Sequence, residues 1–262
     1  MQAFDTISIQ TDERGVATLL LDRAEKHNAL SAQMIQEITE AAKQLGEDDA
    51  VRVVVLKGAG KSFCAGGDLG WMQDQMAADP VTRGREAKAL AMMLFALNSM
   101  PKPLIGCLTG NAFGGGVGMA AVCDVAIAAE GIKMGLTEVR LGLIPATIGP
   151  YVIARLGEAN ARRVFMSGRL FDAAEALDLG AVSKVVAPDA MDEAIEAEIK
   201  PYFAAAPEAV ARSKRLALYL GSNITEATID HSIGELVACW ESETAKEGVS
   251  AFFEKRKANW VV

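Results

Sequence analysis

Four glycines in five positions, Gly114-Gly115-Gly116-Val117-Gly118, stand between the apolar run Leu104-Ile105-Gly106-Cys107-Leu108 and the small residues Met119-Ala120-Ala121-Val122-Cys123. Glycine has no Cβ, so its backbone can approach a neighbour or a ligand closely. A helix opening at such a run aims several N–H groups and the positive end of its dipole at one point. The segment therefore reads as strand, tight turn and helix, with a place for negative charge at the turn. A phosphate, a cofactor or a charge that develops during a reaction would each suit it.

The rest of the chain supplies a core large enough to support such a site. Its 262 residues sit near the upper size of a single hydrophobic core, so one large domain with a smaller appendage is expected. With 51% hydrophobic and 23% charged residues the chain is not disordered, and a net charge of −8 speaks against nucleic acid as a partner. Paired strands are expected at Ile7–Gln10 and Val16–Asp22, and a helix capped by Ser31 runs to about Leu45. The β-branched run Val51–Leu56 suits a strand buried on both faces. A loop over 58–70 precedes a helix over 82–99, which stops before Pro101 and Pro103. Another strand, helix, strand unit ends at Asp124–Ala129. Beyond Asp189 only helical periodicity is found, over 191–204, 208–220, 225–240 and 243–257. The expected organisation is an α/β core over residues 1–200 and a helical region over 201–262, whose helices need a surface to bury against and so favour an oligomer.

Cys64, Cys107, Cys123 and Cys239 form no C-x-x-C pair, which fits reduced thiols in the cytoplasm. The N-terminal residues carry no basic-then-apolar targeting pattern. The uncharged stretch from Pro103 to Cys123 is broken by Thr109, Asn111 and glycines, so no membrane partner is expected. His27 and His231 are far apart and without metal-ligand spacing, and His27 reads as a turn residue. Neither G-x-S-x-G nor a P-loop is found. Gly116-Val117-Gly118-Met119-Ala120-Ala121 does satisfy G-x-G-x-x-A and leaves a nicotinamide dinucleotide site open. Against this, more than a hundred residues precede a motif that normally opens its domain.

A second reading joins two loops. Ser62-Phe63-Cys64-Ala65-Gly66-Gly67-Asp68-Leu69 follows the strand at Val51, and the glycine run follows the strand at Leu104. Two adjacent parallel strands would carry both N–H-rich loops to the same end of a sheet. A pair of such loops can form an oxyanion hole.

At this point the sequence resembles the enoyl-CoA hydratase/isomerase (crotonase) family along essentially its whole length. The resemblance rests on the two loops in this order, on Asn28-Ala29-Leu30-Ser31 and on Cys123-Asp124-Val125-Ala126-Ile127-Ala128. It continues through Leu136-Thr137-Glu138-Val139-Arg140-Leu141-Gly142-Leu143-Ile144-Pro145, Ala181–Val186 and Glu247–Lys257. It implies a superhelix of β-β-α turns with a helical C-terminal trimerisation region, a homotrimer or dimer of trimers, and an acyl-CoA thioester as substrate. Coenzyme A is then part of the substrate, and no separate cofactor or metal is implied. The family's two thioester-binding N–H groups fall on Ala65 and Gly115, and its acid/base carboxylate on Glu138. Family hydratases commonly carry a second glutamate where this chain has Gly118, so the acid/base work would rest on Glu138 alone. The apolar residues around Glu138 in sequence would raise its pKa toward a working value.

The CoA body is expected across Lys26, Ala29, Ala65, Gly67, Asp68 and Leu69, with Phe253 and Lys257 reaching a neighbouring subunit's nucleotide. Gly118 with the segment around Glu138 resembles the subgroup that hydrates 3-methylglutaconyl-CoA, whose distal carboxylate Arg140 would meet. Trp71, Met72, Met76, Met92 and Met93 read either as lining of an acyl tunnel or as ordinary core. Isomerisation or carbon–carbon lysis at the same site is the alternative activity.

Overall fold

The computed structural model describes residues 4–221 and 224–262. β1 (Ile7–Thr11) and β2 (Val16–Leu21) pair antiparallel around a turn in which the Asp12 carboxylate accepts from the N–H groups of Arg14 and Val16, both at 2.9 Å. α1 (Ala32–Glu47) starts where Ser31 Oγ accepts from the Met34 N–H at 3.2 Å, and it buries Met34, Ile35, Ile38, Ala41, Ala42 and Leu45 at helical spacing.

Three β-β-α turns follow. β3 (Val53–Gly58) leads into the short β4 (Ser62–Cys64), then α2 (Leu69–Ala77) and α3 (Pro80–Ser99). β5 (Leu104–Leu108) leads into β6 (Asn111–Phe113) and α4 (Gly115–Val122). β7 (Val125–Ala129) leads into β8 (Lys133–Gly135), a 3-10 turn at Glu138–Leu141, α5 (Gly149–Leu156) and α6 (Glu158–Phe165). β9 (Leu170–Asp172), α7 (Ala173–Asp178) and β10 (Lys184–Val186) complete the α/β part, and α8 (Met191–Phe203), α9 (Pro207–Leu220), α10 (Glu226–Trp240) and α11 (Glu243–Phe253) close the chain.

The long strands form one sheet in the order β1-β2-β3-β5-β7-β10, parallel from β2 onward. The three-residue strands form a second sheet, β4-β6-β8-β9. Because β4, β6 and β8 are parallel neighbours, each turn stacks on the one before it. The loops that leave β4 and β6 therefore lie side by side.

The structure departs from the sequence expectations where tertiary pairing decides. The expected loop over 58–70 contains β4 and the start of α2. The strand expected at Val51–Leu56 lies two residues further on, because the Val51 N–H turns back to the Asp48 carbonyl and the Arg52 N–H to the Gly15 carbonyl. The last helix ends at Phe253 rather than Lys257. Lys255 takes a left-handed φ of 55°, and the Arg256 N–H reaches the Ala251 carbonyl at 3.0 Å, the bond pattern of a Schellman stop. No helix among the described residues is long and apolar enough to cross a membrane.

Candidate active site

The first loop is ordered by the turn before α1. The Leu30 N–H donates to the Gly66 carbonyl at 2.8 Å, and the Asp68 N–H donates to the Leu30 carbonyl at 3.0 Å. Asn28 is fully buried, and its Nδ2 donates to the carbonyls of Ala59 and Ser62 at 2.9 and 2.8 Å. His27 is the turn residue expected, with a left-handed φ of 52° and Nδ1 at 3.1 Å from Ser62 Oγ.

That turn engages one of the two expected N–H donors. The Ala65 N–H, expected to face a thioester, donates to the His27 carbonyl at 3.0 Å. An N–H so engaged already has its acceptor within the fold. The Gly67 N–H, two residues on, has no backbone acceptor, since the bridge between Leu30 and Gly67 is made by the flanking groups of Gly66 and Asp68.

The second loop is set by Gly114. With φ 47° and ψ −113° it adopts a backbone that L side chains rarely take. Its N–H donates to the Gly135 carbonyl at 2.9 Å, and the chain then turns directly into α4. Gly115 is the first residue of that helix, so its N–H has no intrahelical partner, and no other backbone acceptor meets it. The loops touch: the place of a Gly66 Cβ is 3.1 Å from the Phe113 carbonyl oxygen and 3.9 Å from Gly114 Cα. A Gly116 Cβ would lie 2.5 Å from the Cys64 carbonyl oxygen, a separation only a glycine allows.

Glu138 approaches the same place from the third turn. Its Oε1 is 3.0 Å from where a Gly114 Cβ would be, next to the free Gly115 N–H. The residue as a whole is half-buried, while Oε2 is buried and has no hydrogen-bond partner. Burial pushes the carboxyl up to about 7, because a charge there is poorly solvated. A carboxyl whose pKa burial raises to about 7 thus sits against Gly114, between the loops that carry the unengaged Gly67 and Gly115 N–H groups.

The other expected residues divide. Lys26, Leu69 and Lys257 are exposed, and Ala29 is buried beneath Arg23, whose Nη1 donates to its carbonyl at 2.7 Å. Asp68 is committed to its own loop. It caps α2 through the Gly70 and Trp71 N–H groups and pairs with Arg23 at 3.0 Å. Burial works against its charge, but Arg23 and the two N–H donors hold its pKa below the usual range.

Gly118 faces protein instead of ligand. A Cβ there would meet Ile148 Cγ2 at 2.6 Å and Leu94 Cδ1 at 3.2 Å, so apolar groups fill the space at the position where the resemblance would imply a second carboxylate. With Gly116 packed on Cys64, both glycines of the dinucleotide-like motif serve close packing. Arg140 is exposed and lies along Gly168, with Cγ 3.1 Å from that glycine's Cβ position. Phe253 is half-buried against Phe252, edge to face at 5.4 Å. Trp71 and Met72 border Gly67, at 3.6 and 3.7 Å from its Cβ position, while Met93 is core. On sequence alone Gly67 reads only as a residue under the CoA body. Nothing in the letters Ala65-Gly66-Gly67 tells which N–H the preceding turn engages.

The family model for enoyl-CoA hydratase/isomerase matches residues 11–261. A crotonyl-CoA hydratase of Syntrophomonas wolfei is 32% identical over 262 residues, covering 99% of either chain. Among solved structures, an enoyl-CoA hydratase from Shewanella pealeana is 36% identical with a TM-score of 0.80, covering 98% of this chain and 96% of its own. One from Mycobacterium avium is 28% identical with a TM-score of 0.85 over the full length of both. The β-β-α turns, the paired loops and the match along nearly the whole sequence agree, and the chain belongs to the enoyl-CoA hydratase/isomerase family.

Proposed function

We propose that the protein adds water across the α,β double bond of an acyl-CoA thioester, with the Gly67 and Gly115 N–H groups on the thioester oxygen and Glu138 moving the proton. The observation that carries this reading is the Glu138 carboxyl, its Oε2 buried without a partner and its pKa raised to about 7, beside the unengaged N–H of Gly115. The hydratases similar to this chain support the reaction class.

The chemistry follows from charge. Attack by water at the β-carbon pushes the π electrons onto the thioester oxygen as an enolate. Preorganised N–H donors stabilise that charge without reorganising, each worth roughly 3 kcal/mol of barrier. The Glu138 carboxylate takes a proton from the attacking water, and the carboxylic acid formed returns it to the α-carbon. The net change is one water added, with Glu138 restored. One carboxyl suffices for both transfers when it lies on the face where the oxygen and hydrogen add.

The substrate we favour is 3-methylglutaconyl-CoA or a related β-branched thioester, supported by the sequence around Gly118 and Glu138. The exposed position of Arg140 gives that choice no ionic contact of its own. A second activity is favoured by a specific observation: with Ile148 filling the Gly118 position, the site holds a single carboxyl, which also suits moving a proton between two carbons in an isomerase.

The deciding experiment follows loss of the enoyl-thioester absorbance with crotonyl-CoA and 3-methylglutaconyl-CoA and identifies the products by mass. A 3-hydroxyacyl-CoA supports hydration. A shifted double bond without added water overturns it in favour of isomerisation.

A further inference from the structure

Among the described residues, two buried side-chain polar atoms lack a hydrogen-bond partner: Glu138 Oε2 and Trp71 Nε1. The first has a use in the reaction above, but the second has none. A buried donor left unmet costs on the order of 1–3 kcal/mol, so the indole N–H calls for an acceptor that the folded chain does not supply.

Its surroundings indicate where that acceptor comes from. The inward face of α2 is Trp71, Met72 and Gln75, and the one residue of this helix that is fully buried is the polar Gln75. A helix packed only on core would bury aliphatic residues there. The hydrogen bond found at Gln75 belongs to its backbone carbonyl, which accepts from Arg83 Nε at 2.7 Å. The cations flanking α2 are engaged as well, Arg23 with Asp68 and Arg83 with Glu241 and the carbonyls of Gln75 and Met76. What α2 holds buried without a partner is therefore a neutral donor, the indole N–H, with the polar Gln75 one helical turn further on. The benzo edge of Trp71, Cε3 and Cζ3, lies 3.6 Å from the Gly67 Cβ position, so Nε1 is on the far edge of the ring. That far edge is the part of the ring more distant from the Gly67 loop.

We infer that Trp71 is a specificity residue, donating from Nε1, with Gln75 beside it, to an oxygen carried by the acyl group beyond its β-carbon. The substrate class is thus an oxygen-functionalised enoyl thioester in preference to a plain alkyl one. The inference rests on the proposed hydration site.

The test compares kcat/KM for glutaconyl-CoA, its 5-methyl ester and 2-hexenoyl-CoA on wild type and Trp71→Phe. Phenylalanine keeps an aromatic body and removes the donor. The expected result is a loss of about tenfold on an oxygen-bearing substrate, the size of one hydrogen bond, with 2-hexenoyl-CoA changed less than about twofold. Loss on the acid alone identifies a carboxylate as the acceptor, and loss on the ester as well identifies a neutral oxygen. Equal loss on all three substrates, or none, overturns the inference. Gln75→Leu, expected to lower the same ratio, decides the matter if the tryptophan variant does not fold, and an unchanged ratio there overturns it. If wild type turns over none of the three, the hydration reading has failed separately. Calorimetry of glutaryl-CoA and hexanoyl-CoA then reads the contact alone: a selective tenfold weakening of glutaryl-CoA by Trp71→Phe supports it, and any unselective result overturns it.

Discussion

Burial raises the Glu138 carboxyl to about 7, well above the roughly 4.3 of a free glutamate, so the folded chain holds a proton there that the unfolded chain releases. The stability this proton lends is present below about pH 4, is lost as the pH rises through about 7, and is absent above it. Glu138→Gln, which cannot ionise, should therefore be more stable than wild type at pH 8 by about 3–4 kcal/mol in denaturant unfolding, with the gap closing toward pH 4. The same substitution should lower kcat by roughly 10²–10⁴, and wild-type turnover in the hydration direction should rise with pH through about 7 as the carboxylate forms. A variant that keeps near wild-type turnover would remove Glu138 from the mechanism. Glu138 was legible as a candidate from the family resemblance, and its apolar neighbours in sequence pointed to a raised pKa. Which of its oxygens lies unpartnered, and beside which glycine, depends on Gly114 of a different turn.

Between elements, the site depends on how closely two loops approach. The Gly116 Cβ position, 2.5 Å from the Cys64 carbonyl, leaves no room for a methyl group. Gly116→Ala should push the loops apart, destabilise the fold by about 1–3 kcal/mol in thermal unfolding, and reduce turnover at least tenfold by moving the Gly115 N–H away from Gly67. Asp68→Ala should cost about 1–2 kcal/mol, since it removes the cap of α2 together with the partner of Arg23. Its effect on substrate preference should exceed that on the fold, because α2 carries Trp71 and Gln75. Long elements were readable from periodicity, as with α1 and its Ser31 cap. The three-residue strands β4, β6 and β8 were not, because so short a run shows no alternation and exists only through its neighbours.

Across the whole molecule, the helical C-terminal region joins the sheet through Asp124, whose Oδ2 accepts from the Leu104 N–H at 2.7 Å and from Lys214 Nζ at 2.7 Å. Asp124→Ala would leave the nearly buried Lys214 ammonium with only the Lys102 carbonyl, and should cost about 2 kcal/mol. α9 buries no residue within this chain, and it exposes Leu216, Tyr219 and Leu220. If that face meets other copies, light scattering should give three or six times 27.7 kDa, and a mass of 27.7 kDa would rule out the trimer or dimer of trimers that the resemblance implies. The sequence by itself determined the α/β core, the helical end and the two glycine-rich loops, because hydrophobic period, caps and glycine spacing are local properties, and its ordered motifs carried the resemblance to the family. Only the tertiary structure decided that the Gly67 N–H is free while the Ala65 N–H is engaged, that Ile148 fills the face of Gly118, and that Trp71 lacks an acceptor. Each depends on which distant group arrives within hydrogen-bonding or van der Waals reach, and that is settled by the stacking of turns.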